Sequence, residues 1–485
     1  MTDAKNQDFR FGPMFTVMLL GAFVGILNET LLSTALPSIM NDFGLNENKV
    51  QWLTTAFLLT NGVMIPISAY LIERFSTRTL FLSAIGLFGL GTMLAALSHS
   101  FSLLLLGRVV QAAGSGIMLP LIMTIILTII PKGNRGRMMG WAGIVISFGP
   151  AIGPTLSGFL LEYFSWRALF FVVLPIVAVI MVLAVVYVKN VTKLTRPRID
   201  ILSIFLSSLG FGGLLYGFSV AGEKGWSSQT VLLFITMGFI TLGIFIWRQL
   251  RLKQPLLQFR VFGYKTFTLS LVITMVVIIS MIGAETLLPL YMQNVRGFSP
   301  LQSGLMLLPG AIVMGVMSPV TGILFDKWGA RKLAVPGLLI VVVTSFLMTN
   351  LSMETSIVYL SAIYCLRMFG LSLAMMPVMT NGLNQIPVKW SAHGSAMANT
   401  FQQISGSIGT AILITIMTMS SKGYRTEDPT IEGDGSQMIG EMAMVHGYNQ
   451  AFLFASFLAI GALVLSLFLK KKASVQTEVH EISNG

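Results

Sequence analysis

The chain has 485 residues, of which 54% are hydrophobic and only 10% charged, and its mean hydropathy is +0.80. Ordinary soluble domains carry about 25% charged residues, so a soluble enzyme, a disordered protein and a disulfide-built secreted module are all excluded. The net charge of +12 raises the question of nucleic acid, which the placement of the charges answers below.

A membrane-spanning helix needs about 20 apolar residues. Apolar runs bounded by Gly, Pro and charge predict fourteen of them, at about 14–36, 50–71, 79–98, 101–126, 138–160, 168–188, 201–221, 229–248, 267–292, 301–324, 332–350, 356–379, 394–419 and 449–469. The first run is too long for the apolar stretch of a cleavable signal, and no A-x-A site follows it. The stretch 249–266 reads as an amphipathic linker on the inner surface, and 420–448 as the longest outer loop, rich in acids.

An even number of spans puts both termini on one side. With that side inside, its loops and tails hold 23 Lys and Arg, the other side six, and two more lie within spans, which accounts for all 31. Such asymmetry places both termini in the cytoplasm. The basic excess is a topology device whose partners are lipid headgroups; nucleic acid is not expected. Cys365 is the lone cysteine, the four histidines show no ligand spacing, and no P-loop is present. Neither a cofactor nor a metal is expected, and pumping must draw on an ion gradient.

The chain repeats itself. Glu29-Thr-Leu-Leu returns as Glu285-Thr-Leu-Leu 256 residues on. Leu71, Glu73, Arg74 and Arg78 return as Leu324, Asp326, Lys327 and Arg331 at an offset of 253, and Arg108 returns as Arg367 at 259. Three features at nearly one offset predict two related six-helix halves, residues 1–190 and 263–472. Spans seven and eight with a linker are inserted at 191–262, and a tail follows at 473–485. Duplicated halves around a midplane cavity are a transporter architecture.

Three motifs carry chemistry. Gly322-x-Leu-x-Asp326-Lys-x-Gly329-x-Arg331 joins spans ten and eleven; its glycines permit a tight turn, and Asp326 suits a basic partner or a helix N-terminus, as an inner gate requires. The first-half copy, Glu73 with Arg74 and Arg78, is degraded, with Ala69 and Ser76 in place of the glycines. Span four carries Arg108-x-x-Gln111-x-x-Gly114-x-Gly116-x-x-x-Pro120, and a buried arginine in lipid faces a cavity or an acid. Span five carries Gly149-Pro150-x-x-Gly153-Pro154-x-x-x-Gly158, a close-packing hinge. Within spans stand two acids, Glu29 and Glu285, and two bases, Arg108 and Arg367, at comparable depth in each half. An acid there that exchanges between neutral and charged surroundings can load and release a proton. Met368, Met375, Met376 and Met379 cluster on span twelve, as an adaptable site would allow.

These motifs resemble signatures of the major facilitator superfamily, the span-five motif being the one typical of its antiporters. Leu27-Asn28-Glu29-Thr30, Gln51-Trp52-Leu53 and Ser165-Trp166-Arg167, in a fourteen-span chain, resemble the drug:proton antiporter branch, and within it the lincomycin-type exporters of bacteria. The resemblance implies an all-α membrane protein rather than an enzyme, working as a monomer in a bacterial plasma membrane. It implies proton-driven export of amphipathic, often cationic, compounds. Where that branch commonly carries Asp in span one, this chain has Asn28. The competing reading is an exporter of one endogenous metabolite or lipid; nothing supports a sensor or channel. The charge count yields a direct check. Reporters fused after Lys132, Lys193 and Lys472 are expected to read cytoplasmic, and one in 420–448 external; an odd number of crossings would contradict the architecture.

Overall fold

The computed structural model describes residues 11–469 apart from 193, 196, 198 and 428–434, and within these all side chains except those at 33, 47, 48, 151, 154, 223, 300, 425–427 and 435–439. It is an all-helical bundle. Fourteen helices are long and apolar enough to cross a membrane: α1 (Phe11–Ser33), α2 (Trp52–Arg74), α3 (Thr77–Ala96), α4 (Phe101–Ile129), α5 (Arg135–Tyr163), α6 (Arg167–Tyr187), α7 (Ile201–Lys224), α8 (Gln229–Arg251), α9 (Lys265–Asn294), α10 (Pro300–Trp328), α11 (Ala330–Leu347), α12 (Ile357–Leu383), α13 (Ser391–Glu427) and α14 (Gly435–Ser466). All fourteen predicted spans are present. A short helix, Leu36–Phe43, follows α1 and ends at Gly44, whose φ of +61° is open to glycine.

The helix starts are marked by the chain itself. Ser76 accepts from Thr79 N, Ser100 from Leu103 N and Asp200 from Ser203 N, and Ser299 forms a reciprocal capping box with Gln302. The helices alternate in direction, so α1 starts, and α2 ends, at one face of the bundle. That face is called proximal here, the opposite one distal.

One expectation is corrected. Residues 420–448 are not an open loop, because α13 runs on to Glu427 and α14 begins at Gly435; of the acids there, Asp428, Glu432 and Asp434 lie outside the described residues. The linker 249–266 is amphipathic, as expected, with Arg251, Lys253, Gln254 and Arg260 exposed. Leu256, Leu257 and Val261 are buried, and the Gln249 side chain accepts from Leu256 N at 2.6 Å, fixing the linker into the core.

Helices α1–α6 pack as one group and α9–α14 as another. They meet along two seams, α5 against α10 and α2 against α13. The first seam is backbone-close: a Cβ placed on Gly136 would sit 2.5 Å from the Gly322 carbonyl oxygen, so any side chain there would push the halves apart. The inserted pair belongs to the second seam. Helix α7 leans on both α2 and α13, with Trp52 stacked on Tyr216 and Trp226 Nε1 donating to Thr415 Oγ1 at 2.9 Å. An Asp200–Arg248 ion pair at 3.0 Å ties the start of α7 to the end of α8. At the distal face Asp42 binds Trp166 Nε1 and Arg167, and these hydrogen bonds hold its carboxyl below the usual range.

Candidate functional site

Each half buries one arginine completely. Arg108 on α4 donates through Nη1 to Asn28 Oδ1 at 2.6 Å and to Gln111 Oε1 at 2.9 Å. Its Nε reaches the Leu53 carbonyl at 3.5 Å, and the guanidinium lies 4.1 Å from the centre of the Phe57 ring. Gln111 is itself steadied by donating to Thr92 Oγ1 at 2.8 Å. Arg367 on α12 donates to Ser345 Oγ, and through Nη2 to the carbonyl and hydroxyl of Ser280 at 2.8 and 2.9 Å. Every partner is neutral, and each arginine keeps one buried nitrogen, Nη2 of Arg108 and Nε of Arg367, without a hydrogen bond.

Glu29 lies within Coulombic reach of Arg108, and Glu285 of Arg367. No hydrogen bond or ion pair joins either acid to its arginine among the described residues. Asn28 is what touches Arg108. The two acids turn instead into one cavity of about 490 Å³ between the halves. The residues that line it run from mid-bundle, at Ala22 and Ile65, towards the distal ends of α1 and α9, at Thr34 and Gln293. Among the described residues, neither Arg, Lys nor His lines it. Met118, Met281, Met314 and Met368 supply much of its apolar wall. Of the span-twelve methionines only Met368 reaches it; Met375, Met376 and Met379 are buried in packing.

At the proximal face three contacts bridge the halves. Asp326, at the end of α10, accepts from Gly136 N and Arg137 N, each at 2.9 Å. A carboxylate on the first turn of α5 is where a helix holds an anion best. Glu73, at the matching end of α2, meets His393 Nε2 on α13 at 3.0 Å. Arg135 gathers the carbonyls of Leu127 and Ile130 and reaches across to Asn384 Oδ1 at 3.0 Å. The remaining loop residues sit around these contacts. Gly322 makes the close approach to Gly136, Gly329 turns α10 into α11 at φ +80°, and Arg331 is half-buried. Arg74 is exposed, and Arg78 donates to the Val185 carbonyl at 2.8 Å.

The span-five motif faces α1. A Cβ on Gly149 would strike Ile26 at 2.5 Å and one on Gly153 would strike Thr30, whose hydroxyl donates to the Gly149 carbonyl at 3.2 Å. Pro150 lines the cavity, Gly158 faces Leu301, and α5 passes through Pro154 as one continuous helix.

Residues 18–410 match the family model of the Major Facilitator Superfamily. The chain belongs to that superfamily. It is 47% identical to the MFS-type transporter YcnB of Bacillus subtilis, with 97% of each chain covered. It is 43% identical to the lincomycin resistance protein LmrB of Listeria monocytogenes, over 96% of this chain and 98% of that one. The human organic anion transporter MFSD10 has the same fold, with a TM-score of 0.66 at 16% identity over 94% of this chain and all of that one. This facilitator-family chain is therefore a multi-pass membrane transporter and not an enzyme.

Sequence reasoning missed His393, set aside for lack of ligand spacing, and the carboxamides of the cavity wall, Asn61, Asn399, Gln402 and Gln403. The last three stand at i, i+3 and i+4, one helical face, which is a signal present in the sequence. The two proximal acids differ in what a neutral replacement removes. Asp326→Asn takes the charge from a helix N-terminus and is expected to nearly abolish transport with the protein still in the membrane. Glu73→Gln keeps a hydrogen bond to His393 and is expected to do less. Near-normal uptake into vesicles by both variants would reduce the Asp326 contact to an ordinary turn.

Proposed function

We propose that the protein is a proton-coupled exporter of amphipathic drugs or toxic compounds across a bacterial plasma membrane, acting as a monomer. The observation that carries this reading is the pair Glu29 and Glu285, one from each half, facing a single cavity with no basic side chain in its lining. A cation that enters meets these two carboxylates, the only charged side chains among the described lining residues. One carboxylate cannot both hold a proton and balance a cation, so loading one expels the other, which is exchange by direct competition. Once ionised, Glu29 and Glu285 have the guanidinium charges of Arg108 and Arg367 within Coulombic reach. The name of the Listeria relative, a lincomycin resistance protein, supports a drug as cargo.

The 23-to-6 charge count supports a cytoplasmic proximal face with both termini on that side. The contacts of Asp326 and Glu73 then form a closed inner gate, with Gly322, Gly329, Arg74, Arg78 and Arg331 as its frame. The cavity lies between the midplane and the outer face. Gly149 and Gly153 hold α5 closely against α1 within the first half, and bending of α5 at this motif would accompany rocking of that half against the other.

The test is proton release from purified protein in weak buffer on adding tetraphenylphosphonium. The parent is expected to release protons, the Glu29→Gln/Glu285→Gln double variant to release none while still binding the cation. Glu29→Asp is expected to keep part of the response. Wild-type proton release by the double variant would place coupling elsewhere.

A further inference from the structure

The acids account for a substrate's charge but not for the rest of the cavity wall. One of the two seams bordering the cavity presents carboxamides: Asn61 from α2, and Asn399, Gln402 and Gln403 from α13. Asn61 and Gln403 come from opposite halves, and Gln403 packs 3.9 Å from where a Cβ on Gly62 would stand, next to Asn61. The other seam presents Ile146 and Pro150 of α5 and Leu307, Ala311 and Met314 of α10. The cavity is thus amide-lined on one side and mainly apolar on the other, with a carboxylate from each half.

These amides are largely unspent. Neither Asn61 nor Gln403 makes a side-chain hydrogen bond among the described residues. Gln402 gives one N–H to the Met379 sulfur at 3.1 Å, and Asn399 donates to the Ser395 carbonyl at 2.8 Å and to the Met123 sulfur at 3.8 Å, which leaves both of their carbonyl oxygens open. Each amide is both donor and acceptor. A purely apolar cation would displace water from them and leave them unpaired, whereas hydroxyl, carbonyl or amide groups on the cargo would take its place. Sites that offer hydrogen bonds reject analogues that lack the matching groups far more strongly than apolar pockets reject anything.

We propose that this wall sets specificity: the cavity selects cations with one hydrogen-bonding flank and one apolar flank, and Asn61, Gln402 and Gln403 read the hydrogen-bonding flank. This rests on the exporter reading above and names its substrate class.

The test compares two cations in proteoliposomes under a proton gradient. Tetraphenylphosphonium has no hydrogen-bonding group; daunorubicin has an ammonium, hydroxyls and carbonyls. Gln402→Leu/Gln403→Leu is expected to cut daunorubicin transport about tenfold more than tetraphenylphosphonium transport. Gln402→Asn/Gln403→Asn, which keeps the amides, is expected to retain most daunorubicin transport. Asn61→Leu, on the other half, should repeat the selective loss if the α13 double variant is not monodisperse. Equal loss of both cations in a monodisperse variant, or no loss of either, overturns the assignment. A wild type that pumps tetraphenylphosphonium but not daunorubicin overturns it while the exporter reading stands. A wild type that pumps neither overturns both.

Discussion

A guanidinium in the middle of an apolar bundle is costly unless its donors are bonded and its charge is balanced nearby. Arg108 and Arg367 meet the first condition only in part and with neutral groups only, Asn28, Gln111 and a backbone carbonyl in one half and two serines and a carbonyl in the other, each keeping one buried nitrogen unbonded. The countercharge is therefore displaced onto Glu29 and Glu285, which stand at the cavity and not in the core. Had Asn28 been an aspartate, a fixed buried pair would hold Arg108. With Asn28, the one nearby acid is free to face cargo. The neutral cage around each arginine and the open acid beside it are parts of one arrangement.

The two seams show how a duplicated chain becomes asymmetric. Asp326 and Glu73 occupy matching helix ends, yet the shorter acid binds two backbone N–H groups on α5 and the longer one binds the imidazole of His393 on α13. Gly322 lets α10 meet α5 at backbone distance, whereas Ala69 stands at the corresponding place on α2. The α2–α13 seam is also the one that α7 covers and the one that carries the amides. The α5–α10 seam is tight and, apart from Ser147 and Ser303, mainly apolar where it borders the cavity. The inserted helices and the polar wall thus fall on the same side of the molecule.

Much of this was legible in the residues. Composition and apolar run length fix a fourteen-helix membrane bundle, because no other fold hides so much apolar surface in lipid. The offsets near 256 reveal the halves, and charges inside spans are rare enough that Glu29, Arg108, Glu285 and Arg367 stand out unaided. What stayed hidden depends on rotation and reach. Glu29 and Asn28 differ by about 100° around the helix, and only packing decides which one meets Arg108. His393 is a lone histidine until α13 lies against α2. The extension of α13 and α14 past their apolar runs was masked by polar residues that read as a loop and yet form helix.

If the acids exchange a proton for a cation, their protonation is the quantity to observe. The direct measurement is infrared difference spectroscopy of the purified protein in lipid, with and without tetraphenylphosphonium, following the carbonyl band of protonated carboxyl groups. The account predicts that this band weakens when the cation binds to the parent protein and is unchanged in the Glu29→Gln/Glu285→Gln variant. A parent whose band does not respond, or a double variant whose band weakens as the parent's does, would contradict it.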